Sequence, residues 1–239
     1  MNLNTVKIIS SAKIQLFLNR LMQAKGLYVS ANQRHSRQHY HVGNLAEQLL
    51  SSARTMLEEV GAAKLSMRAL CNALGVTPTA AYHHFTNRAE LLAQLATAGY
   101  LELAEVLNEK SATLPIAEKI RAFCLIYLGF ARRNPALYQL MFGPELALED
   151  MPEHLSNARQ LAFSRLEMMV ADVLQQPDDS IEVRSAALAS WSYIHGLTSL
   201  LLHDVLQQPA GVSDQRIIER TLAGFEVLFR GHTASSNTI

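Results

Sequence analysis

Cysteine, proline and glycine are scarce in this sequence: two, seven and eleven of 239 residues. Cys71 and Cys124 stand far apart and form no C-x-x-C pair. That argues against a disulfide scaffold or a zinc ribbon and fits a reducing, cytoplasmic setting. The few prolines and glycines fall between apolar-periodic runs, and no strand-like alternation persists, so an all-β chain is excluded. No apolar run reaches the roughly 18 to 20 residues that cross a bilayer. The N-terminus, "MNLNTVKIISSAKIQLFLNRLMQAKG", lacks a compact apolar core and a small-residue cleavage site, so it does not read as a secretory signal. There is no internal repeat and no low-complexity tract.

Nearly half of the residues are apolar (49%), enough for a sizeable core, and 21 basic residues balance 21 acidic ones. The balance is uneven along the chain. Residues 1 to 44 carry Lys7, Lys13, Arg20, Lys25, Arg34 and Arg37 and no acid, and the acidic excess lies beyond residue 100. A basic front suggests a polyanion partner, with a solvated tail as the plainer alternative. Residues 1–40 read as an arm. Asn44, with Glu47 three residues on, has the layout of a capping box, and it opens an amphipathic helix closed by Gly61. Ser66 caps a short second helix ending at Gly75, and Thr77 caps a third whose first position is Pro78. Asn87 and Glu90 open a long fourth helix. Further helices are expected over 115–133, 135–142, 154–175, 181–206 and 214–230. The chain is therefore all-α: a three-helix N-terminal unit over 41–88, a helical bundle over 89–230 and a tail over 231–239.

The stretch "LGVTPTAAYHHFTNRAELL" (74–92) carries the most chemistry. Two short helices joined at Gly75, with small Cys71 and apolar Val76 and Ala81 at the joint, have the plan of a helix-turn-helix. On a helix starting at Pro78, Thr79, Tyr82 and His83 share a face. Thr77 and Thr79 lie at its positive end, suited to phosphate. Short hydroxyls, the Ala80 methyl and the His83 imidazole match base edges in a major groove, while Tyr82 and Arg88 suit phosphate oxygens. Phe85 reads as core; core packing is also the plainer alternative for Tyr82. His83 and His84 point about 100° apart, a poor metal pair. His35, His39 and His41 are better spaced but lack a carboxylate or thiolate nearby. No nucleophile, orienting carboxylate or glycine-rich loop accompanies these residues, so no catalytic residue, metal or cofactor is expected.

From "YHVGNLAEQLL" through "GVTPTAAYHHFTNRAELL" the sequence resembles the DNA-binding domain of TetR-family transcriptional regulators. "GVTPTAAYHHF" followed by Arg88 and Leu91 carries that resemblance most specifically. It implies that Tyr82, His84 and Arg88 lie against the DNA backbone, with Thr77, Thr79, Ala80 and His83 near bases. Ser66 and Arg68 would add phosphate and base contacts. Cys71 stands where the family usually has alanine, and Arg88 where lysine is commoner. "FARRNPALYQLMF" (130–142) and "WSYIHGLTSLLL" (191–202) are similar to motifs of one branch of the family, marked by Trp-x-x-x-His-Gly. The arm before residue 40 is not explained by the resemblance. A translation start at Met22 is one expectation there, tested by mass spectrometry of the native N-terminus.

In the back half, the plain reading of the aromatic and methionine side chains is core. The sharper reading is a ligand cavity lined by Tyr127, Phe130, Tyr138, Met141, Phe163, Trp191 and His195. The resemblance implies a small-molecule effector there, of unknown identity. It also implies a homodimer, for which the last two helices offer surplus small and apolar residues, among them Ala186, Ala187, Ala189, Leu197, Leu200, Leu201, Ile217, Gly224 and Phe225. The expectation is a cytoplasmic, ligand-responsive repressor on a near-palindromic double-stranded operator, with half-sites roughly one DNA turn apart or a multiple of that. An interaction protein acting through protein partners without sequence-specific DNA binding is the alternative, and an enzyme the third and weakest reading.

Overall fold

The computed structural model describes residues 45–111, 114–146, 151–206 and 211–233. The Asn44 cap, the basic arm with Arg34 and Arg37, Met22, and His35, His39 and His41 lie outside them. The described residues form nine α-helices and two short 3-10 turns, with no strand among them. The helices are α1 (Leu45–Val60), α2 (Met67–Leu74), α3 (Pro78–Tyr82), α4 (Arg88–Ser111), α5 (Ile116–Arg133), α6 (Pro135–Phe142), α7 (Glu153–Leu174), α8 (Ile181–Leu202) and α9 (Asp214–Thr233). None of the described helices is long and apolar enough to cross a membrane.

Local chemistry sets the boundaries of the first four helices. The Ser66 hydroxyl accepts from Ala69 N–H, and the Thr77 hydroxyl accepts from Ala80 N–H, as side-chain caps should. Gly75 closes α2 at φ 65°, a left-handed conformation. There Gly75 N–H donates to the Asn72 carbonyl and Val76 N–H to the Cys71 carbonyl. A Cβ at Gly75 would meet nothing within 4 Å, so the demand for glycine comes from the backbone angle alone. Asn87 accepts from Glu90 N–H, and the Glu90 carboxylate accepts from the Thr86 amide and hydroxyl, one residue earlier than a standard capping box reaches.

Leu49, Ala53 and Leu57 of α1, Leu70 and Cys71 of α2, Ala81 of α3 and the following Phe85 are buried together. This core continues without a break along Leu91, Leu92 and Leu95 of α4 into the bundle. A fully buried leucine contributes about 1.5–3 kcal/mol relative to an exposed one, so the head and bundle support each other. In the bundle, α4 packs along α7, and α5 is tied to α7 by Lys119–Asp172 and to α9 by Arg121–Glu219 and Arg132–Asp214. Helix α8 stops at Leu202, short of the 206 expected. Asp204 there takes φ 53°, and the His203 ring lies 2.8 Å from the Ser199 carbonyl, so the chain turns out of the helix.

Candidate nucleic-acid interface and aromatic cluster

Helix α3 is held from behind and open in front. Ala81 and Phe85 anchor it in the core, while Thr77, Thr79, Tyr82, His83 and His84 are exposed and Ala80 is half-buried. Tyr82 is 49% exposed, an unusual position for a large aromatic side chain with no core role. His83 follows α3 as its C-terminal cap and keeps a right-handed helical conformation, so it stays on the face with Thr79 and Tyr82. The cap hydroxyls of Ser66 and Thr77 accept from backbone, which leaves each O–H proton available to an outside oxygen. Arg68, in the first turn of α2, is exposed. The surface is rich in short donors and carries little charge of its own, which suits reading base edges more than gripping phosphates at large.

Arg88 is placed differently from its neighbours. It is half-buried, and its Nε donates to the Leu65 carbonyl at 2.7 Å while Nη2 donates to the Ala62 carbonyl. The guanidinium thus clamps the 3-10 turn joining α1 to α2 onto the start of α4. No feature of residues 74–92 announces this, because its partners lie 23 and 26 positions earlier.

The head is tied to the bundle through α6. Glu58 of α1 sits at the N-terminus of α6, its two carboxylate oxygens accepting from Ala136 N–H at 3.0 Å and Leu137 N–H at 3.1 Å. That is the charge favoured at the positive end of a helix, with two otherwise unbonded donors satisfied. Arg54, one turn earlier, donates to Asn134 Oδ1 at 2.7 Å and reaches Glu102 of α4 at 3.4 Å. Along its flank α6 presses on α4: a Cβ at Gly99 would lie 2.7 Å from Met141 Sδ and 2.8 Å from Leu137 Cδ2. The Tyr100 hydroxyl donates to the Met141 carbonyl at 2.6 Å.

From the other side of α6, Tyr138 and Phe142 enter an aromatic cluster with Tyr127 of α5, Phe163 of α7, and Trp191 and His195 of α8. Phe142 lies 4.6 Å from the His195 ring and 6.3 Å from Trp191, and Phe163 lies 5.2 Å from Trp191. Tyr127 meets Tyr138 edge-on at 5.9 Å and Trp191 at 6.3 Å. Both tyrosine hydroxyls converge on His195 Nδ1, Tyr138 at 2.7 Å and Tyr127 at 3.2 Å. Burial pushes both phenols up from their usual range and holds the His195 imidazole below its own, so the group is uncharged near neutrality. Five of the seven residues expected to line a cavity are therefore brought together: Tyr127, Tyr138, Phe163, Trp191 and His195. Phe130 and Met141 are fully buried in the surrounding core. Phe142 of α6 joins the cluster beside the seven, and Tyr100 of α4 and Arg159 of α7 join it without having been singled out, through contacts distant in sequence.

On the outer surface, α8 and α9 leave large apolar side chains uncovered. Ile181 and Leu188 are exposed on α8, as are Phe225 and Val227 on α9. Among the residues expected to face a second copy, Leu200, Ala189, Gly224 and Phe225 are exposed, whereas Ala187, Leu197, Leu201 and Ile217 belong to the chain's own core.

Residues 49–95 match a family model described as bacterial regulatory proteins of the tetR family, and residues 120–225 match one described as a tetracyclin repressor-like C-terminal domain. Neither description is that of an enzyme. A nucleoid occlusion factor SlmA from Vibrio vulnificus strain YJ016 is 30% identical over 138 residues, covering 56% of this chain and 68% of that protein. Its namesake from Yersinia pseudotuberculosis is 28% identical over 143 residues, covering 56% and 67%. Among solved structures, a protein of unknown function from Rhodococcus sp. RHA1 superposes with a TM-score of 0.66 at 26% identity, over 82% of this chain and 98% of that one. A transcriptional regulator FadR from Bacillus subtilis, solved with stearoyl-CoA, shares the fold at a TM-score of 0.56 and 15% identity, over 73% and 94%.

Proposed function

Because this chain belongs to the TetR family of DNA-binding bacterial regulators, we propose that it represses transcription as a homodimer on a near-palindromic operator and is released by a small-molecule effector. The observation that carries the reading is α3. It is anchored by Ala81 and Phe85 and presents Thr77, Thr79, Tyr82 and His83 outward, with Thr77 and Thr79 at the positive end of the short helix. Within the family we assign the chain to the branch marked by Trp191, His195 and Gly196. Thr77, Thr79, Ala80 and His83 are the residues near bases; Tyr82, His84, Ser66 and Arg88 lie against the DNA backbone, and Arg68 adds a base contact. Two copies pair through the uncovered faces of α8 and α9, which sets the spacing of the two heads.

Release follows from where α6 sits. An effector seated against Tyr138, Phe142, Trp191 and His195 favours one placement of α6, and Glu58 carries that placement to α1 and so to the head. The loss of operator affinity equals the effector's difference in binding free energy between the two placements. The test is binding of the purified protein to duplex DNA over a range of stated salt concentrations. Binding that weakens steeply with salt and saturates at one dimer per site supports the reading. A folded, dimeric protein that binds no duplex would overturn it.

The name of the curated relatives favours a second reading, in which the chain acts as an occlusion factor at the nucleoid. DNA binding that no small molecule reverses, together with a protein bound stably to the helical half, would favour that reading over the first.

A further inference from the structure

At the edge of the aromatic cluster stands a cation that is in no ion pair with another described residue. Arg159 of α7 lies with its guanidinium carbon 5.6 Å from the centre of the Tyr100 ring. Its Nη1 donates to the Met151 thioether at 3.2 Å, a weak acceptor, and its Nε is sealed from solvent with no acceptor. Among the described residues the cations in ion pairs are Arg54, Lys119, Arg121 and Arg132, so no carboxylate there is matched to Arg159. Arg159 is half-buried, and an aromatic face and a sulfur leave its charge without the carboxylate that usually accompanies a partly buried guanidinium. Arg159 also stands at the edge of a continuous aromatic surface. The Tyr100 ring beneath it touches Phe142 at 5.5 Å, and Phe163, one turn along the same helix, touches Trp191.

At the other edge stands His195. Two hydroxyl protons and one ring proton must be placed among Tyr127, Tyr138 and His195 Nδ1. Either tautomer leaves one donor over: with the ring proton on Nδ1 it is a buried tyrosine hydroxyl, and with the proton on Nε2 it lies on the half-buried ring, the cheaper place for it. With the ring proton on Nε2, Tyr138 donates to Nδ1, and Tyr127 donates to Nδ1 or to the Tyr138 oxygen 3.5 Å away. The Nε2–H then finds no acceptor among the described residues. A cation without a carboxylate partner and a ring N–H without an acceptor, both among the described residues, therefore border one apolar surface.

We infer that the effector is a small organic anion with a flat apolar body, its anionic group paired with Arg159, its ring seated on Phe142, Phe163 and Trp191, and an oxygen reached by His195 Nε2–H. This rests on the effector-release reading and names the ligand class that reading leaves open.

Trp191 is the only tryptophan of the chain, so energy transfer from it reports a fluorophore bound at the cluster. The probes are anilinonaphthalene sulfonate and its uncharged analogue phenylnaphthylamine, titrated into the full-length protein. The wild-type protein should bind the sulfonate at least about tenfold more tightly than the neutral probe, with transfer from Trp191. Arg159→Met should remove that preference while leaving neutral-probe affinity within about twofold, and Arg159→Lys should keep most of it. Equal affinities of the wild-type protein for the two probes would overturn the anion inference and leave an effector site standing, whatever the variants do. Absence of transfer from Trp191 with either probe would overturn both the inference and the effector reading.

Discussion

Arg88 and His195 are the two side chains whose placement changes what a substitution there should do. Arg88 donates to the carbonyls of Leu65 and Ala62, so its removal costs the head two charge-assisted hydrogen bonds before any contact with DNA is considered. Arg88→Ala should lower stability to denaturant by about 2 kcal/mol, and Arg88→Lys should recover little of it, because an ammonium cannot serve both carbonyls with the fork of a guanidinium. Urea melts of the DNA-free protein check this, and only the loss of DNA affinity beyond the loss of folded protein belongs to the interface. His195 is held below its ordinary value of 6.5 by burial. A depressed folded value means that the unfolded chain binds the proton more readily. The stabilising effect of the neutral ring is therefore full above about pH 6.5 and is lost as the pH falls through the folded value. Thermal midpoints should drop between neutral pH and pH 5, and the drop should be shallower in His195→Asn, which cannot take up the proton.

Among the elements, α6 is short and does two jobs: its start is capped by Glu58 from the head, and Tyr138 and Phe142, one turn apart along it, enter the cluster. Glu58→Ala should cost about 1–2 kcal/mol of stability, as loss of a charged cap does. Arg54→Ala and Glu58→Ala should combine non-additively, since Arg54 lies 3.9 Å from Glu58 and anchors Asn134 just before α6. A double-mutant cycle in denaturant measures the coupling, and simple additivity would mean that the two residues hold α6 independently. The elements themselves were largely legible in the sequence. Ser66, Gly75, Thr77, Pro78 and Asn87 act on backbone within three or four residues, so their spacing alone discloses α2, α3 and the start of α4. What spacing does not disclose is contact across the chain. Glu58 reads as one more acid on an amphipathic helix, yet its partners lie 78 and 79 residues on. Arg88 reads as a free cation at a helix start, yet its charge is turned inward. The His195 group spans 57 and 68 residues. Composition around Trp191 and Tyr138 announced aromatics, but their meeting with Phe142 depends on how α6 crosses α4 beside Gly99.

For the whole molecule, the proposed pairing through the uncovered apolar faces of α8 and α9 would decide whether one head or two meets the DNA. Leu188 and Val227 are 62% and 74% exposed in the single chain, far more than an isolated bundle needs to leave open. Leu188→Arg combined with Val227→Arg should turn a dimer into folded monomers in sedimentation. Operator affinity should fall by well over about tenfold, because the second head no longer binds at the effective concentration set by the first. If the double variant stays dimeric, another face forms the interface.

The central claim is that α3 reads sequence from two symmetry-related positions. The measurement that tests it most directly is selection from random duplex DNA at one stated salt concentration, run side by side for the wild-type protein and Thr79→Ala. The account predicts a two-fold symmetric site for the wild-type protein. With Thr79→Ala, it predicts preference relaxed by about 1–3 kcal/mol at one pair of symmetry-related base pairs and unchanged elsewhere. An asymmetric site, no enrichment from folded dimer, or identical sites for the two proteins would contradict it.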